Sequence, residues 1–557
     1  MKQIKINKNG IKRVIIVSII LIAVIFILIM AQNFTREKAN ETTNLIINNN
    51  NVTSRLKHEV KIENGNIYVS MDDLENFFDK HIYIEEETNE IITTYHDKIA
   101  SIGFELNKLT VNGSVKKINA CAIKEDEIVY LPISEMLEIY DIELSNIEET
   151  NIITLDSLSR KQVKATLKSK ASLKSQKKFL SRLIEKATKG SEVVVIGEID
   201  GKSWVKVRTE NGKIGYIKTS KLENIRTVRE QKVEEKQIMG KVNMFWDYFS
   251  QWVQAPNRAG QTIEGVNVVS PSFFYLDEDD GTLRENVGNA GKAYIEWAHS
   301  NGYKVWPMIS NAEAGIKVTS NILNSYTKRQ ALIQSIVEKC VQYDIDGINV
   351  DFENMYEADK DKFSRFIIEL MPRMQEMGIV VSVDVTAPDG GPNWSLCYDR
   401  YVIGEVADYL VFMAYDQYGT SSTKPGTTAG LNWVETSLKK IIDYDEVDTE
   451  KIILGIPFYT RQWTIASNGT IKSRTVVSMI NTKIPTNVEK QWDDTLKQYY
   501  IEYKSGKNTI KMWIEDGTSI KEKVALVTKY NLGGTSAWRK DMETSNVWTI
   551  IREELDK

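Results

Sequence analysis

The sequence predicts a multidomain protein whose largest domain, residues 237–557, is a (β/α)8 TIM barrel. Short, near-continuous apolar runs alternate there with helical stretches, which is the pattern of a parallel sheet covered by helices. About 320 residues suit eight such units with one insertion, which we expect at residues 464–511. An α+β repeat, a small β-barrel and an apolar N-terminal run precede this domain. A chain of 557 residues is also too long for one hydrophobic core.

Composition excludes several classes of protein. Hydrophobic residues make up 42% and charged residues 26%, which is typical of globular domains. A net charge of −5 gives no reason to expect nucleic acid as a partner. The cysteines, Cys121, Cys340 and Cys397, are too few and scattered for a disulfide framework, and the four histidines form no helical cluster. We therefore predict no metal site and no cofactor.

The N-terminal run at residues 14–30 is apolar except for Ser18, and five basic residues precede it. It exceeds the ~7–15 residues of a signal-peptide core and approaches the ~17–25 residues of a spanning helix. We expect a membrane anchor at 14–31, a cytoplasmic segment at 1–13 and the remaining chain outside the cytoplasm. A cleaved signal peptide, and hence a secreted protein, is the alternative. Residues 32–56, rich in Asn and Thr, are predicted to form a flexible tether.

Residues 57–158 contain an internal repeat. The sequence EETN at 86–89 recurs at 148–151, and IYVSM at 67–71 aligns with VYLPI at 129–133, both at an offset of 62 residues. Each copy predicts a strand, a short amphipathic helix (71–78 and 134–140) and two further strands. The repeat therefore indicates a paired α+β module.

Residues 160–224 contain short alternating strands with glycine-containing turns, which predict a small β-barrel. The runs WVKV at 204–207 and GKIGYI at 212–217 carry two aromatic residues, Trp204 and Tyr216. Both could line a groove, or both could be core residues. The charged, apolar-poor segment 225–236 is predicted to be a linker.

The most informative run is DGINVDFE at residues 346–353. In a strand, Asn349, Asp351 and Glu353 share one face, and the three apolar residues between them pack on the other. Same-face positions lie roughly 7 Å apart, so a charge on Asp351 disfavours ionisation of Glu353 and keeps it protonated near neutral pH. A general acid requires that state. Spacing alone also allows a solvated acidic strand edge. Asp346, of opposite parity, is expected to fix the start of the strand.

Three further residues, Tyr415, Tyr459 and Trp538, also end strand-like runs. Active groups of a (β/α)8 barrel lie at the carboxyl ends of its strands, so one barrel mouth can receive all of them with Glu353. The predicted strands are 266–276, 304–309, 347–353, 379–386, 409–415, 451–457 and 533–538.

The run DGINVDFE resembles the DGxDxDxE signature of glycoside hydrolase family 18, which includes chitinases, endo-β-N-acetylglucosaminidases and peptidoglycan N-acetylglucosaminidases. MAYD at 413–416, GIPFYTRQW at 455–463 and Trp538 resemble further family motifs in the same order. Asn349 stands where most of the family has Asp. With Asn354 and Met355 after Glu353, the motif looks like the spore cortex-lytic and cell-wall branch.

The resemblance implies retaining hydrolysis assisted by the substrate. Glu353 would protonate the glycosidic oxygen, and the substrate's N-acetyl carbonyl would attack the anomeric carbon to give an oxazolinium ion. Asp351 would orient the acetamide, with Asn349 as its hydrogen-bond partner. The remaining expected contacts to the substrate are Tyr415 to the acetamide oxygen, Trp538 as the floor of the subsite, and Asp416, Tyr459 and Arg461 to the sugar.

The smaller domains also carry resemblances. Residues 57–158 are similar to stalk domains that share the fold of the N-terminal domain of copper amine oxidases, and residues 160–224 resemble bacterial SH3 domains, which commonly bind wall peptides. We therefore expect a membrane-anchored N-acetylglucosaminidase that acts on peptidoglycan. The alternatives are a chitinase or endo-β-N-acetylglucosaminidase, a non-catalytic glycan-binding protein, and an adhesion protein with a vestigial barrel.

Overall fold

The computed structural model describes residues 16–25, 42–199, 201–232 and 238–557. The chain forms two compact units. The N-terminal unit comprises Met1–Ile82, Ile102–Thr110 and Val115–Glu235, and the barrel unit comprises Tyr83–Ser101, Val111–Ser114 and Lys236–Lys557.

Only part of the expected membrane anchor is described. Residues 16–25 are helical, whereas the rest of segment 14–31 and all of segment 1–13 lie outside the described residues. Within the described ranges, no helix is long and apolar enough to cross a membrane.

The prediction of a flexible tether over 32–56 is wrong for its second half. Asn44–Ile47 is a buried strand that pairs in parallel with the strand Ile152–Ser157. Three consecutive apolar residues, 45–47, are buried there, which outweighs the polar composition around them. Asn48 and Asn49, with φ of 48° and 64°, form the tight turn into the strand Asn50–Asn51. Residues 32–41 lie outside the described part of the chain.

The repeat prediction is correct for the first strand of each copy and only partly correct for the helices. Asn66–Ser70 leads into the α-helix Met71–Phe77, whereas Ile128–Pro132 leads into the single 3-10 turn Ile133–Glu135. The Ser70 side chain accepts a hydrogen bond from the Asp73 N–H and caps the first helix, but Pro132 cannot do so. The two first strands pair antiparallel.

The segment predicted as a small β-barrel forms a seven-stranded antiparallel sheet. Its strands are Gln162–Leu167, Ala171–Lys174, Leu183–Ala187, Glu192–Ile196, Trp204–Thr209, Ile214–Lys218 and Leu222–Arg229. Val205, Val207 and Ile217 lie in its core, whereas Trp204 and Tyr216 alternate with them and are half-buried.

The predicted linker 225–236 is wrong for its first residues. Leu222–Arg229 is a strand that pairs with Gln162–Leu167, and the Arg226 guanidinium forms an ion pair with Glu192. This charged strand lies at the sheet edge, where solvent-facing side chains are tolerated. Residues 233–237 lie outside the described residues.

The barrel unit contains a closed parallel barrel, as predicted. The last strand pairs with both the seventh and the first, which closes the sheet. In barrel order the strands are Val242–Asp247; Val268–Pro271 with Phe274–Leu276; Lys304–Val305 with Met308–Ser310; Gly347–Asp351; Val380–Val385; Tyr409–Met413; Ile452–Pro457; and Gly534–Trp538. The strand Leu283–Glu285 adds an antiparallel edge. The first barrel strand, Val242–Asp247, was not predicted from the sequence.

Helices cover the outside of this barrel. They are Gly288–Ser300, Gly315–Leu323, Tyr326–Tyr343, Lys360–Glu376, Arg400–Val406, Leu431–Asp443, Gly517–Tyr530 and Val547–Leu555. The insertion is wider than predicted and is a five-stranded antiparallel sheet of Tyr459–Ile465, Ile471–Ser478, Gln491–Asp493, Gln498–Ser505 and Asn508–Ile514.

A hairpin from the predicted repeat domain belongs to the barrel unit. It consists of Tyr83–Glu85 and Glu90–Tyr95. Arg329, only 1% exposed, forms ion pairs with Glu85 of this hairpin and with Glu369 of a barrel helix. Glu87 accepts hydrogen bonds from the first N–H groups of the helix Tyr326–Tyr343. Buried charges paired in this way hold the hairpin on the barrel.

Candidate active site

The fourth barrel strand presents its faces as the alternation predicts. Ile348, Val350 and Phe352 are completely buried, and Phe352 stacks on Phe366 at a centroid distance of 5.7 Å. Gly347 is required here, because a Cβ would lie 2.4 Å from the Trp306 ring. The strand ends at Asp351, two residues earlier than predicted, so Glu353 lies beyond it.

Asp346 lies at the start of this strand, as expected. Its carboxylate accepts hydrogen bonds from Lys304 Nζ at 2.7 Å and from the Val305 N–H at 3.0 Å. The side chain is therefore engaged with the neighbouring strand at the opposite end from Glu353.

Two residues that the sequence did not single out hold Glu353 in place. Asn311 Oδ1 accepts a hydrogen bond from the Glu353 N–H at 2.8 Å, and Asn311 Nδ2 donates to the Glu353 carbonyl at 2.9 Å. The Tyr398 hydroxyl donates to the Phe352 carbonyl at 2.8 Å. Asn354 adopts a left-handed conformation with φ of 52°, which turns the chain away immediately after Glu353.

Asp351 and Glu353 form a hydrogen-bonded carboxyl pair. Burial raises the pKa of Asp351 to about 6, against the opposing effect of hydrogen bonds from Glu353 and Ser310. Burial, followed by the charges of Asp351 and Asp416, raises the pKa of Glu353 well above its usual range. At neutral pH the pair therefore carries its proton on Glu353, the state required of a general acid.

Asn349 contacts a set of residues that differs from the expected one. Its Oδ1 accepts from Trp246 Nε1 at 2.7 Å, and its Nδ2 donates to Asp384 Oδ1 at 2.7 Å and to Ser382 Oγ at 3.1 Å. The expected hydrogen bond to Asp351 is not made, because these partners satisfy the amide. Asp384 is thus a third carboxyl group of the site that sequence reasoning missed.

Aromatic rings join the other candidate residues to this cluster. The Trp246 ring lies 6.4 Å from Tyr415 and 5.8 Å from Trp538, between ring centroids. Tyr415 in turn lies 6.3 Å from Tyr459. Burial, and the nearby carboxyl groups, raise the pKa of the Tyr415 hydroxyl, so it stays protonated and can donate a hydrogen bond.

The last candidates form a polar group around Asp416. Its carboxylate accepts from the Tyr459 hydroxyl and from Arg461 Nη2, each at 2.7 Å. Arg461 is 2% exposed, and its Nε and Nη1 have no hydrogen-bond partner among the described residues. Contacts therefore join Asn349, Tyr415, Trp538, Asp416, Tyr459 and Arg461 through Trp246. The charges of Asp351 and Glu353 act on Tyr415, which places the carboxyl pair beside this group.

An ion-pair group supports the end of the first strand. Arg258, 4% exposed, donates to both carboxylate oxygens of Asp247 at 2.9 Å and to both of Asp541 at 2.8 Å. Asp247 follows Trp246 directly, so this group fixes the strand that carries the Trp246 ring. The consecutive apolar residues in NMFWD at 243–247 were the available signal for this strand.

In the described part of the chain, no group of three His, Cys, Asp or Glu side chains is placed to hold a metal ion.

Comparisons with known proteins agree with the sequence motifs. Residues 244–543 match the family Glycosyl hydrolases family 18. The glycosylase YvbX of Bacillus subtilis is 25% identical over 52% of this chain and 84% of its own length. The Cortical fragment-lytic enzyme of Bacillus subtilis is 25% identical over 42% of this chain, which spans only 56% of that enzyme. The crystal structure of a chitinase from Chromobacterium violaceum shares the fold, with a TM-score of 0.50 and 22% identity over 57% of this chain and 100% of that one.

Proposed function

Because the chain belongs to glycoside hydrolase family 18, we propose that it hydrolyses β-1,4 glycosidic bonds at N-acetylglucosamine in peptidoglycan. The mechanism is retaining and assisted by the substrate's own acetamide. The observation that carries this proposal is the Asp351–Glu353 pair, in which one carboxyl group keeps a proton beside another that gives it up.

Glu353 is the general acid. Its backbone is fixed on both sides by Asn311, and its side chain is only partly buried, so a glycosidic oxygen can reach it. Protonation of that oxygen lets the leaving sugar depart as an alcohol. The resulting Glu353 carboxylate then takes a proton from the water that opens the oxazolinium ion.

Asp351 orients the acetamide. Its Oδ1 is buried and has no hydrogen-bond partner among the described residues, so it is available to accept from the acetamide N–H. The negative charge of Asp351 also stabilises the positive charge that develops on the oxazolinium ring. Tyr415, with its protonated hydroxyl, donates to the acetamide oxygen and turns it toward the anomeric carbon.

The sugar ring rests on Trp538, whose ring is part of the Trp246 and Tyr248 aromatic group. Asp416 and Tyr459 contact sugar hydroxyls. The two unpartnered donors of Arg461 favour a direct contact with the substrate, since buried N–H groups without partners cost free energy.

Peptidoglycan is favoured over chitin because a Cortical fragment-lytic enzyme is among the relatives. The half-buried aromatics Trp204 and Tyr216 of the N-terminal unit would bind wall peptides if that sheet acts as an SH3-like domain. An anchor at residues 14–31 would hold the protein on the outer face of the cell membrane. Chitin or an N-glycan is the alternative substrate, which the fold shared with a chitinase supports.

The test is product analysis. The full-length chain is incubated separately with purified peptidoglycan and with chitin, and released products are identified by mass spectrometry, with Glu353→Gln as the inactive control. Reducing-end N-acetylglucosamine from peptidoglycan supports the proposal, and reducing-end muramic acid contradicts it. Products from chitin alone favour the alternative, and binding without products from either favours a glycan-binding protein.

A further inference from the structure

The amide of Asn349 has a single possible orientation. Trp246 Nε1 can only donate, so the atom it contacts at 2.7 Å must be the amide oxygen. The Asn349 nitrogen therefore faces Asp384, and its hydrogen bond to Asp384 Oδ1 is 2.7 Å long. Asn349 and Asp384 form a matched amide–carboxyl pair across two neighbouring strands.

Asp384 occupies a position equivalent to that of Asp351 on the next strand. Val350 is level with Val383 in the parallel pairing, so Asp351 and Asp384 follow side by side, with their backbones about 4.8 Å apart. Asp384 is 1% exposed and has no ion-pair partner among the described residues. A buried carboxyl group without a cation is costly, so its presence on the inner face calls for a role.

We propose that Asp384 supplies, from the neighbouring strand, the carboxyl group that the DGxDxDxE motif ordinarily places at position 349. The number of carboxyl groups in the site is then the same as in the motif, although position 349 carries an amide. Asp384 is a positioning residue of the proposed hydrolysis, because it acts through Asn349 and Asp351 and does not touch the substrate. The inference rests on the proposed function.

The third carboxyl group has a consequence for proton occupancy. Each ionised carboxyl group raises the pKa of the others, so the three cannot all be charged near neutral pH. Burial, followed by the charge of Asp351, raises the pKa of Asp384 well above its usual range. Asp351 therefore ionises first, and Asp384 keeps its own proton, because the charges of Asp351 and Glu353 both disfavour its ionisation. The titratable groups that interact with Asp384 are Asp351, Glu353 and the Tyr415 hydroxyl.

The test compares Asp384→Asn, Asn349→Asp and the exchange variant that carries both changes. Each is assayed for kcat/KM against pH on a short N-acetylglucosamine oligomer. Asn349→Asp, with two facing carboxyl groups, should move the acid limb up by about one pH unit or more. Asp384→Asn replaces an uncharged carboxyl group and should leave the alkaline limb in place. The exchange variant restores one amide and one carboxyl group, so the acid limb should return to the wild-type position.

The matched control is Asn243→Asp, which buries a carboxyl group at an equally inaccessible Asn at the start of the first barrel strand. It should lower the melting temperature without moving either limb. An unmoved acid limb in Asn349→Asp, or an exchange variant no more active than the weaker single variant, would overturn the inference.

A separate readout keeps this result distinct from failure of the proposed function. If the wild type hydrolyses no N-acetylglucosamine substrate, the proposed function fails, and the thermal stability of the same variants still tests Asp384. Ionisation of a carboxyl group with a raised pKa destabilises the fold as pH rises above the ordinary range of Asp. Asp384→Asn should therefore melt at higher temperature than wild type at pH 8 and at the same temperature at pH 3, and an equal melting temperature at both would overturn the inference.

Discussion

The Asn311 side-chain amide forms hydrogen bonds of 2.8 and 2.9 Å with the main-chain N–H and carbonyl of Glu353. Asn311 follows the third barrel strand and Glu353 follows the fourth, so a side chain from one strand sets the backbone of the next. Asn311 Nδ2 also donates to Thr319 Oγ1 at 3.1 Å, which orients the amide. The position of the acid therefore depends on a residue that does not touch the substrate.

Asn311→Ala should lower kcat by about 100-fold, because a displacement of the acid by roughly 1 Å is enough for such a loss. KM should change little, since the sugar contacts are untouched. Steady-state kinetics on an N-acetylglucosamine oligomer would measure both. The control is Asn324→Ala, which removes an exposed Asn that directly follows the helix Gly315–Leu323. A kcat within twofold of wild type in Asn311→Ala would contradict the role of Asn311 in positioning Glu353.

The acid limb of kcat/KM should lie near pH 6. The pKa of Asp351 is raised to about 6 by burial, and activity requires the Asp351 carboxylate, so the rate should fall as pH drops through that value. Below it, the slope should approach tenfold per pH unit. A pH–rate profile in the absence of saturating substrate measures this. An acid limb in the ordinary pKa range of an exposed Asp would show that burial does not raise the pKa of Asp351.

Asp351→Asn should stabilise the fold at neutral pH. A pKa raised from 3.8 to about 6 means that ionisation of Asp351 destabilises the folded state above pH 3.8. The penalty is complete above pH 6 and amounts to at most about 3 kcal/mol. Urea unfolding at pH 7 and at pH 3 should show the gain at the higher pH alone. An equal gain in the free energy of unfolding at pH 3 would show that the stabilisation comes from packing and not from the lost charge.

Arg258→Met should destabilise the barrel unit by about 3–5 kcal/mol, since it leaves the buried Asp247 carboxylate without its cation. Arg258 and Asp247 side chains are each 4% exposed. Lys529→Met, which breaks a pair whose lysine is 57% exposed, is the control and should change stability by less than about 1 kcal/mol. Equal losses in the two variants, measured by denaturant unfolding, would be inconsistent with a buried role for Arg258.

Local patterns in the sequence were sufficient for the strand Gly347–Asp351, which leads directly to Glu353. The period-two alternation settles which residues face the barrel interior and which pack against the helices. The structure agrees, because Ile348, Val350 and Phe352 lie in the core between strand and helices. Asp384 and Asn311 were missed because their roles depend on the register of neighbouring strands. That register is a long-range property, and no local window contains it.

The same reason explains why the predictions of a tether at 32–56 and a linker at 225–236 were partly wrong. Asn44–Ile47 is a strand because it pairs with residues more than one hundred positions later, and Leu222–Arg229 because it pairs with Gln162–Leu167. Polar composition predicts a loop at both places. Pairing partners decide the outcome for such short segments.

The central claim is that Glu353 donates a proton to the leaving oxygen. The most direct measurement compares wild type and Glu353→Gln on two aryl N-acetylglucosamine oligomers, one with a strongly basic and one with a weakly basic leaving group. The variant should lose about 100-fold to 10,000-fold with the basic leaving group and much less with the weakly basic one, because the latter departs without a proton. Equal losses on both substrates would contradict the role of Glu353 as the acid.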